Sequence, residues 1–154
     1  MIPEKYMKLA ILEAEKALEK NEIPIGAILI DEETNELLAT AHNETQMSQN
    51  ALAHAEKLCI ERAMKKLGKK VLPNTILFST LEPCPMCATA ISLARIKTCY
   101  FSTLDKKAGA IISHTQIHKN HPHFFKTKYV FLENELTKKS EKLLKDFFAK
   151  LRRK

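Results

Sequence analysis

The chain has 154 residues, 45% of them hydrophobic, and carries 25 Lys and Arg against 18 Asp and Glu for a formal net charge of +7. That length suits one domain that buries a core without disulfides, and the apolar fraction is ordinary for a globular protein. No apolar run approaches the ~20 residues of a membrane span, and Met1-Ile2-Pro3-Glu4-Lys5 lacks the basic-then-apolar order of a signal peptide, so a cytoplasmic location is expected.

In chain order, Pro3 to Lys20 is predicted to be a helix from the spacing of Tyr6, Ala10, Ala14, Ala17 and Leu18. Pro24 to Ile30 is a nearly continuous apolar run, as expected of a strand covered on both faces. The polar turn Asp31 to Glu36 and the run Leu37 to Ala41 complete a hairpin. Ala51 to Leu67 is predicted as the second helix, stopped by Gly68 and followed by Pro73. A strand over Thr75 to Thr80 leads into a short helix over Pro85 to Ala94, and Thr98 to Phe101 forms the next strand. A polar connection holding His114, His118, His121 and His123 precedes a strand over Lys128 to Leu132. Leu136, Leu143, Leu144, Phe147 and Leu151 mark an amphipathic terminal helix over about residues 136–152. The alternation argues for an α/β layered fold with helices covering a sheet, and nothing suggests a division of residues 1–154 into two domains.

The charge is concentrated. From Leu136 to Lys154 there are six Lys and two Arg against Glu141 and Asp146, leaving the rest of the chain nearly balanced. Such a footprint suits a polyanionic partner, although a solvated helix face gives the same composition.

Two short pieces carry the chemistry, His54-Ala55-Glu56 and Pro83-Cys84-Pro85-Met86-Cys87. One imidazole and two thiols supply three of the four ligands that a zinc ion takes, leaving a fourth position for water. Pro85 suits the first position of a helix, which puts Cys84 at the helix entrance and Cys87 in its first turn. The exposed N–H groups there favour thiolates, the metal-binding form. Residues two apart share no face of a regular helix, so His54 and Glu56 converge only at an irregular helix start. Glu56, outside the coordination sphere, is placed to carry protons. A thioredoxin-like pair would use Cys84 and Cys87 alone and leave His54 and Glu56 without a role. A structural zinc site would need a fourth ligand from His42, His114, His118, His121, His123, Cys59 or Cys99, and no spacing selects one. Cys59 and Cys99 are expected to be buried free thiols. The histidine-rich connection is expected to be a polar loop in preference to a second metal site.

The order H-x-E…P-C-x-x-C matches the known signature of zinc nucleobase deaminases. With it stand Glu22-Ile23-Pro24-Ile25-Gly26-Ala27, His42-Asn43, Thr80-Leu81-Glu82, the segment Asp105 to Ala110, and Asp146-Phe147-Phe148. On these residues the chain resembles the bacterial tRNA-specific adenosine deaminases, within the cytidine-deaminase superfamily. The resemblance implies a three-layer cytidine-deaminase-like fold, with a mixed sheet of about five strands flanked by helices. It implies a zinc-dependent homodimer that converts adenosine to inosine at the wobble position of a tRNA anticodon stem-loop. By position, His54, Cys84 and Cys87 would bind one Zn2+ per chain and Glu56 would shuttle protons. Asn43 would hydrogen-bond the flipped-out nucleoside, and the Ala55 N–H would orient its base. Asp105 and Lys107 would touch the anticodon loop, with Arg152-Arg153-Lys154 beside it. Two other readings use the same residues: a deaminase of a free base or nucleotide such as guanine, cytosine or a riboflavin precursor, and a non-catalytic zinc module that binds nucleic acid.

Overall fold

The computed structural model describes residues 1–153; Lys154, grouped above with Arg152 and Arg153, lies outside them. Five strands form one mixed sheet in the order β2-β1-β3-β4-β5. They are β1 (Gly26–Asp31), β2 (Leu37–His42), β3 (Thr75–Ser79), β4 (Thr98–Phe101) and β5 (Lys128–Phe131). β1 runs antiparallel to both β2 and β3, whereas β3, β4 and β5 are parallel. The helices are α1 (Pro3–Glu19), α2 (Ala55–Leu67), α3 (Pro85–Leu93), α4 (Ile117–Asn120) and α5 (Glu135–Arg152).

Strand alternation sorts the core into two layers. Ala27, Leu29, Leu77 and Cys99 point to one face and pack with Ala55, Cys59, Ile60 and Ala63 of α2 and Ile91 of α3. Ile28, Ile30, Ile76 and Phe78 point to the other, where Tyr6, Met7, Ala10 and Ile11 of α1 cover them beside Leu136 and Leu143 of α5. The apolar run of β1 is therefore buried on both sides, as its composition predicts. Gly26 makes the close approach of α1 possible. A Cβ there would strike the Ala10 carbonyl oxygen and lie 2.6 Å from the Ala14 nitrogen, both backbone atoms that cannot swing away.

The second helix starts four residues later than its apolar pattern suggests. Ala51 and Leu52 are exposed and belong to a turn, in which Asn50 Oδ1 accepts the Leu52 N–H at 2.9 Å. Upstream, the buried Glu22 carboxylate accepts the Gln46 and Met47 N–H groups at 3.0 and 2.7 Å, which fixes residues 44–50 in non-helical backbone. α4 is one short turn within the predicted polar connection, and among the described residues that connection holds no cluster of three metal-ligating side chains. The terminal helix begins with a reciprocal cap: Asn134 Oδ1 accepts the Leu136 N–H at 2.8 Å, while Thr137 Oγ1 accepts the Asn134 N–H at 3.2 Å. Among the described residues no helix is long and apolar enough to cross a membrane.

Candidate active site and metal centre

The N-termini of α2 and α3 meet on one side of the sheet. Cys84 is the N-cap of α3 in extended backbone (φ −76°, ψ 171°), Pro85 follows at the first helical position, and Cys87 lies buried in the first turn. His54 is the N-cap of α2, also extended (φ −76°, ψ 148°). Its Nδ1 stands 3.6 Å from Cys84 Sγ and 3.7 Å from Cys87 Sγ. Tetrahedral zinc with bonds of ~2.3 Å to sulfur and ~2.0 Å to nitrogen sets its ligand atoms roughly 3.5–3.8 Å apart, so the donor set fits the ion in both type and spacing. All three ligand atoms lie within 4.8 Å of one another, and among the described residues no further His, Cys, Asp or Glu joins them.

The electrostatics favour a cation at this point. A hydrogen bond from the Cys87 thiol, opposed by burial and helped by His54, pulls the Cys84 thiol down to about 4. The same contact with Cys84, together with burial, raises Cys87. His54 is raised chiefly by its hydrogen bond with Cys84. Both helix N-termini add partial positive charge that steadies the thiolate.

Glu56 sits in the first turn of α2 and is only 4% exposed. Burial raises its carboxyl to about 7, against the lowering effect of its backbone hydrogen bond. A carboxyl poised near neutrality is suited to taking and returning a proton. Asn43 is also buried, and its Oδ1 accepts the Ala55 N–H at 2.8 Å. That bond ties the end of β2 to the first turn of α2 and turns the amide so that Nδ2 is the donor left for another partner. The Ala55 N–H is thus engaged within the protein.

None of the seven candidate fourth ligands named from the sequence joins this cluster, and five of them are engaged or buried elsewhere. His42 Nδ1 meets the Asn43 carbonyl at 2.9 Å and its Nε2 meets Lys20 Nζ at 3.1 Å. His118 packs on Tyr129 with ring centroids 4.9 Å apart, and His114 Nε2 contacts the Lys106 carbonyl. Cys59 and Cys99 are fully buried, and burial raises both thiols.

Asp105 and Lys107 belong to the loop that follows β4. Asp105 Oδ1 accepts the Lys107 and Ala108 N–H groups, both at 3.1 Å, and Lys107 is exposed. The residue that sequence reasoning left without a role is Glu82. It is 1% exposed, and its carboxylate receives four backbone N–H groups and one hydroxyl from this same loop. Burial raises the carboxyl, but the Ser113 hydroxyl and these N–H groups outweigh it and hold Glu82 below the usual carboxylate range. The available signal was a carboxylate set between Leu81 and Pro83, a few residues past the apolar run Ile76 to Phe78.

Comparison with known proteins agrees with this geometry. Residues 2–103 match the family described as the cytidine and deoxycytidylate deaminase zinc-binding region. The chain is 41% identical over 152 residues to the tRNA-specific adenosine deaminase of Aquifex aeolicus (strain VF5), covering 97% of this chain and 95% of that protein. It is likewise 41% identical over 151 residues to the enzyme of the same name from Bacillus subtilis (strain 168), covering 98% and 91%. A structure from a study of A-to-I editing by tRNA:A34 deaminases at the wobble position superposes with a TM-score of 0.81 at 36% identity, covering 91% of this chain and 99% of that one. Sequence, fold and the convergence of His54, Cys84 and Cys87 agree, and the chain belongs to the tRNA-specific adenosine deaminases of the cytidine and deoxycytidylate deaminase zinc-binding family.

Proposed function

We propose that residues 1–154 form one zinc-dependent deaminase domain that converts adenosine to inosine at the wobble position of a tRNA anticodon loop. The observation that carries the chemistry is the convergence of His54 with Cys84 and Cys87 beside a buried Glu56. The substrate follows from the tRNA-specific relatives that cover nearly the whole chain.

His54, Cys84 and Cys87 would hold the zinc. When bound, such an ion lowers the pKa of a water ligand from ~15.7 towards ~7 and so supplies hydroxide at neutral pH. Glu56 takes the water proton and delivers it to the ring nitrogen beside the reacting carbon. As the water oxygen bonds to that carbon, Glu56 moves the oxygen's remaining proton to the exocyclic amine, the carbon–nitrogen bond breaks and ammonia leaves, and the oxygen stays as the carbonyl of inosine. Asn43 Nδ2 donates to the nucleoside, held in place by the bond from Ala55 to its other amide atom. The Ala55 N–H reaches a base only by exchanging that bond. Asp105 and Lys107 contact the anticodon loop, whose unpaired bases cost little to splay into a single-base pocket. The working form is a homodimer in the cytoplasm.

The test is zinc-loaded protein with an anticodon stem-loop carrying adenosine at the wobble position, the product base read by sequencing. Inosine at that position is expected. Turnover of free guanine or cytosine with no action on the stem-loop would move the assignment to a free-base deaminase. One bound zinc without any ammonia release would leave only the non-catalytic module.

A further inference from the structure

Glu82 takes no part in the chemistry above, yet one whole loop is built around it. Oε1 accepts the Asp105 N–H at 3.0 Å and the Ser113 hydroxyl at 2.5 Å. Oε2 accepts the N–H groups of Ile111, Ile112 and Ser113 at 3.1, 2.8 and 2.9 Å. The flanking backbone is laced to the same loop: the Glu82 N–H donates to the Thr103 carbonyl at 2.8 Å, and the Ala110 N–H to the Pro83 carbonyl at 2.9 Å. Converging backbone N–H groups of this kind form a concave anion site, here filled by the chain's own carboxylate. Gly109 lets the carboxylate in. A Cβ at that position would collide with Glu82 Cδ and Oε1 and lie 2.5 Å from Oε2.

Apolar packing could hold the loop without this arrangement, since Ala110 and Ile111 already pack on Phe101 and Ala88. A buried carboxylate is costly, and it persists where its removal would leave several buried donors unpaired. What separates Glu82 from an ordinary loop anchor is its position. Only Pro83 stands between it and Cys84, and the loop it grips carries Asp105 and Lys107.

We propose that Glu82 is a positioning residue for the RNA substrate: its carboxylate fixes the loop from Asp105 to Ser113 in register with the Cys84 end of the metal centre. This rests on the function proposed above. Contacts to the anticodon loop and capture of the target base must be made together, and one rigid side chain sets the offset between them.

The experiment compares wild type, Glu82→Gln, Gly109→Ala, and Gly109→Ala combined with Glu82→Asp, on the wobble-adenosine stem-loop. For Glu82→Gln, kcat/KM is expected to fall about 10–100-fold, the size expected when a buried hydrogen bond to a charged group is lost. The loss should sit in KM, with zinc content near that of wild type and the single-turnover rate at saturating RNA within about threefold. Amide exchange at Ile111, Ile112 and Ser113 should quicken. Gly109→Ala should show the same KM signature, because its methyl group displaces the carboxylate. Adding Glu82→Asp, one methylene shorter, should recover part of the loss, a coupling that general destabilisation does not produce. KM unchanged in Glu82→Gln, or loss of activity in step with loss of zinc, would overturn the positioning role. If Glu82→Gln does not fold, Gly109→Ala with normal KM, or with no recovery from the second substitution, overturns it equally. A wild-type protein that makes no inosine in the stem-loop overturns the substrate reading itself, and this inference with it.

Discussion

Cys84 and Cys87 stand one helical turn apart and are shifted in opposite directions, the first lowered by its contacts with Cys87 and His54 and the second raised by the contact with Cys84 and by burial. Zinc takes both as thiolates, and a serine hydroxyl, which keeps its proton at neutral pH, replaces neither. Cys84→Ser is expected to lose bound zinc and all deamination, measured as zinc per chain and inosine formed. A variant that keeps both would remove Cys84 from the ligand set. A strong chelator should likewise abolish turnover of the wild type, and added zinc should restore it. Activity that survives chelation with the metal gone would contradict a zinc mechanism. Asp31 offers a test away from the site. Its Oδ1 accepts the Thr34 and Glu33 N–H groups, each at 2.9 Å, and the Thr34 bond is the main reason its carboxyl lies below the ordinary value. Its folded-state pKa is depressed, so the support it gives the turn is present above the unfolded value of ~3.9 and is lost as pH falls through the lowered one. An NMR titration of the Asp31 carboxyl should show that lowered midpoint; a midpoint at or above the ordinary value would contradict the turn geometry.

At the scale of elements, the helix starts decide the function, because His54 and Cys84 are both N-caps. The α3 start is legible in sequence because Pro85 marks the first helical position. The α2 start is not, because Ala51 and Leu52 continue an apolar pattern that is interrupted by the neighbouring Asn50 and by two groups further off. Those groups are Glu22, which grips Gln46 and Met47, and Asn43, whose side chain accepts the Ala55 N–H. The same is true of Glu82. Its donors lie 23 to 31 residues downstream, beyond any local periodicity. Residue types that chemistry demands at short spacing were legible, and partners brought together by the sheet were not. The α5 cap gives an element-scale prediction. Asn134→Ala removes the side-chain acceptor for Leu136 and should cost about 1 kcal/mol. That corresponds to a Tm lower by about 2–4 °C in a chain of this size. An unchanged Tm would show that the cap does not anchor this helix.

For the whole molecule, the sheet divides labour between its faces. One face carries α2, α3 and the metal centre, and the other carries α1 with α5 packed against it. Lys138, Lys139, Lys142, Lys145, Lys150, Arg152 and Arg153 are all exposed, so the charge excess read from the sequence is an outward-facing surface. If that surface meets RNA phosphates, replacing Arg152 and Arg153 by Ala weakens stem-loop binding. It should also flatten the plot of log K against log[salt] by about 0.7 for each phosphate that is no longer neutralised. Unchanged affinity and slope would make α5 a solvated face only. The most direct measurement is made on a single preparation of Glu56→Ala, assayed for zinc per chain and for inosine formed in the anticodon stem-loop. Bound zinc near the wild-type level with turnover down by about 10²–10⁴-fold is expected of a lost proton carrier. Near-normal turnover, or loss of the metal together with the activity, would contradict it.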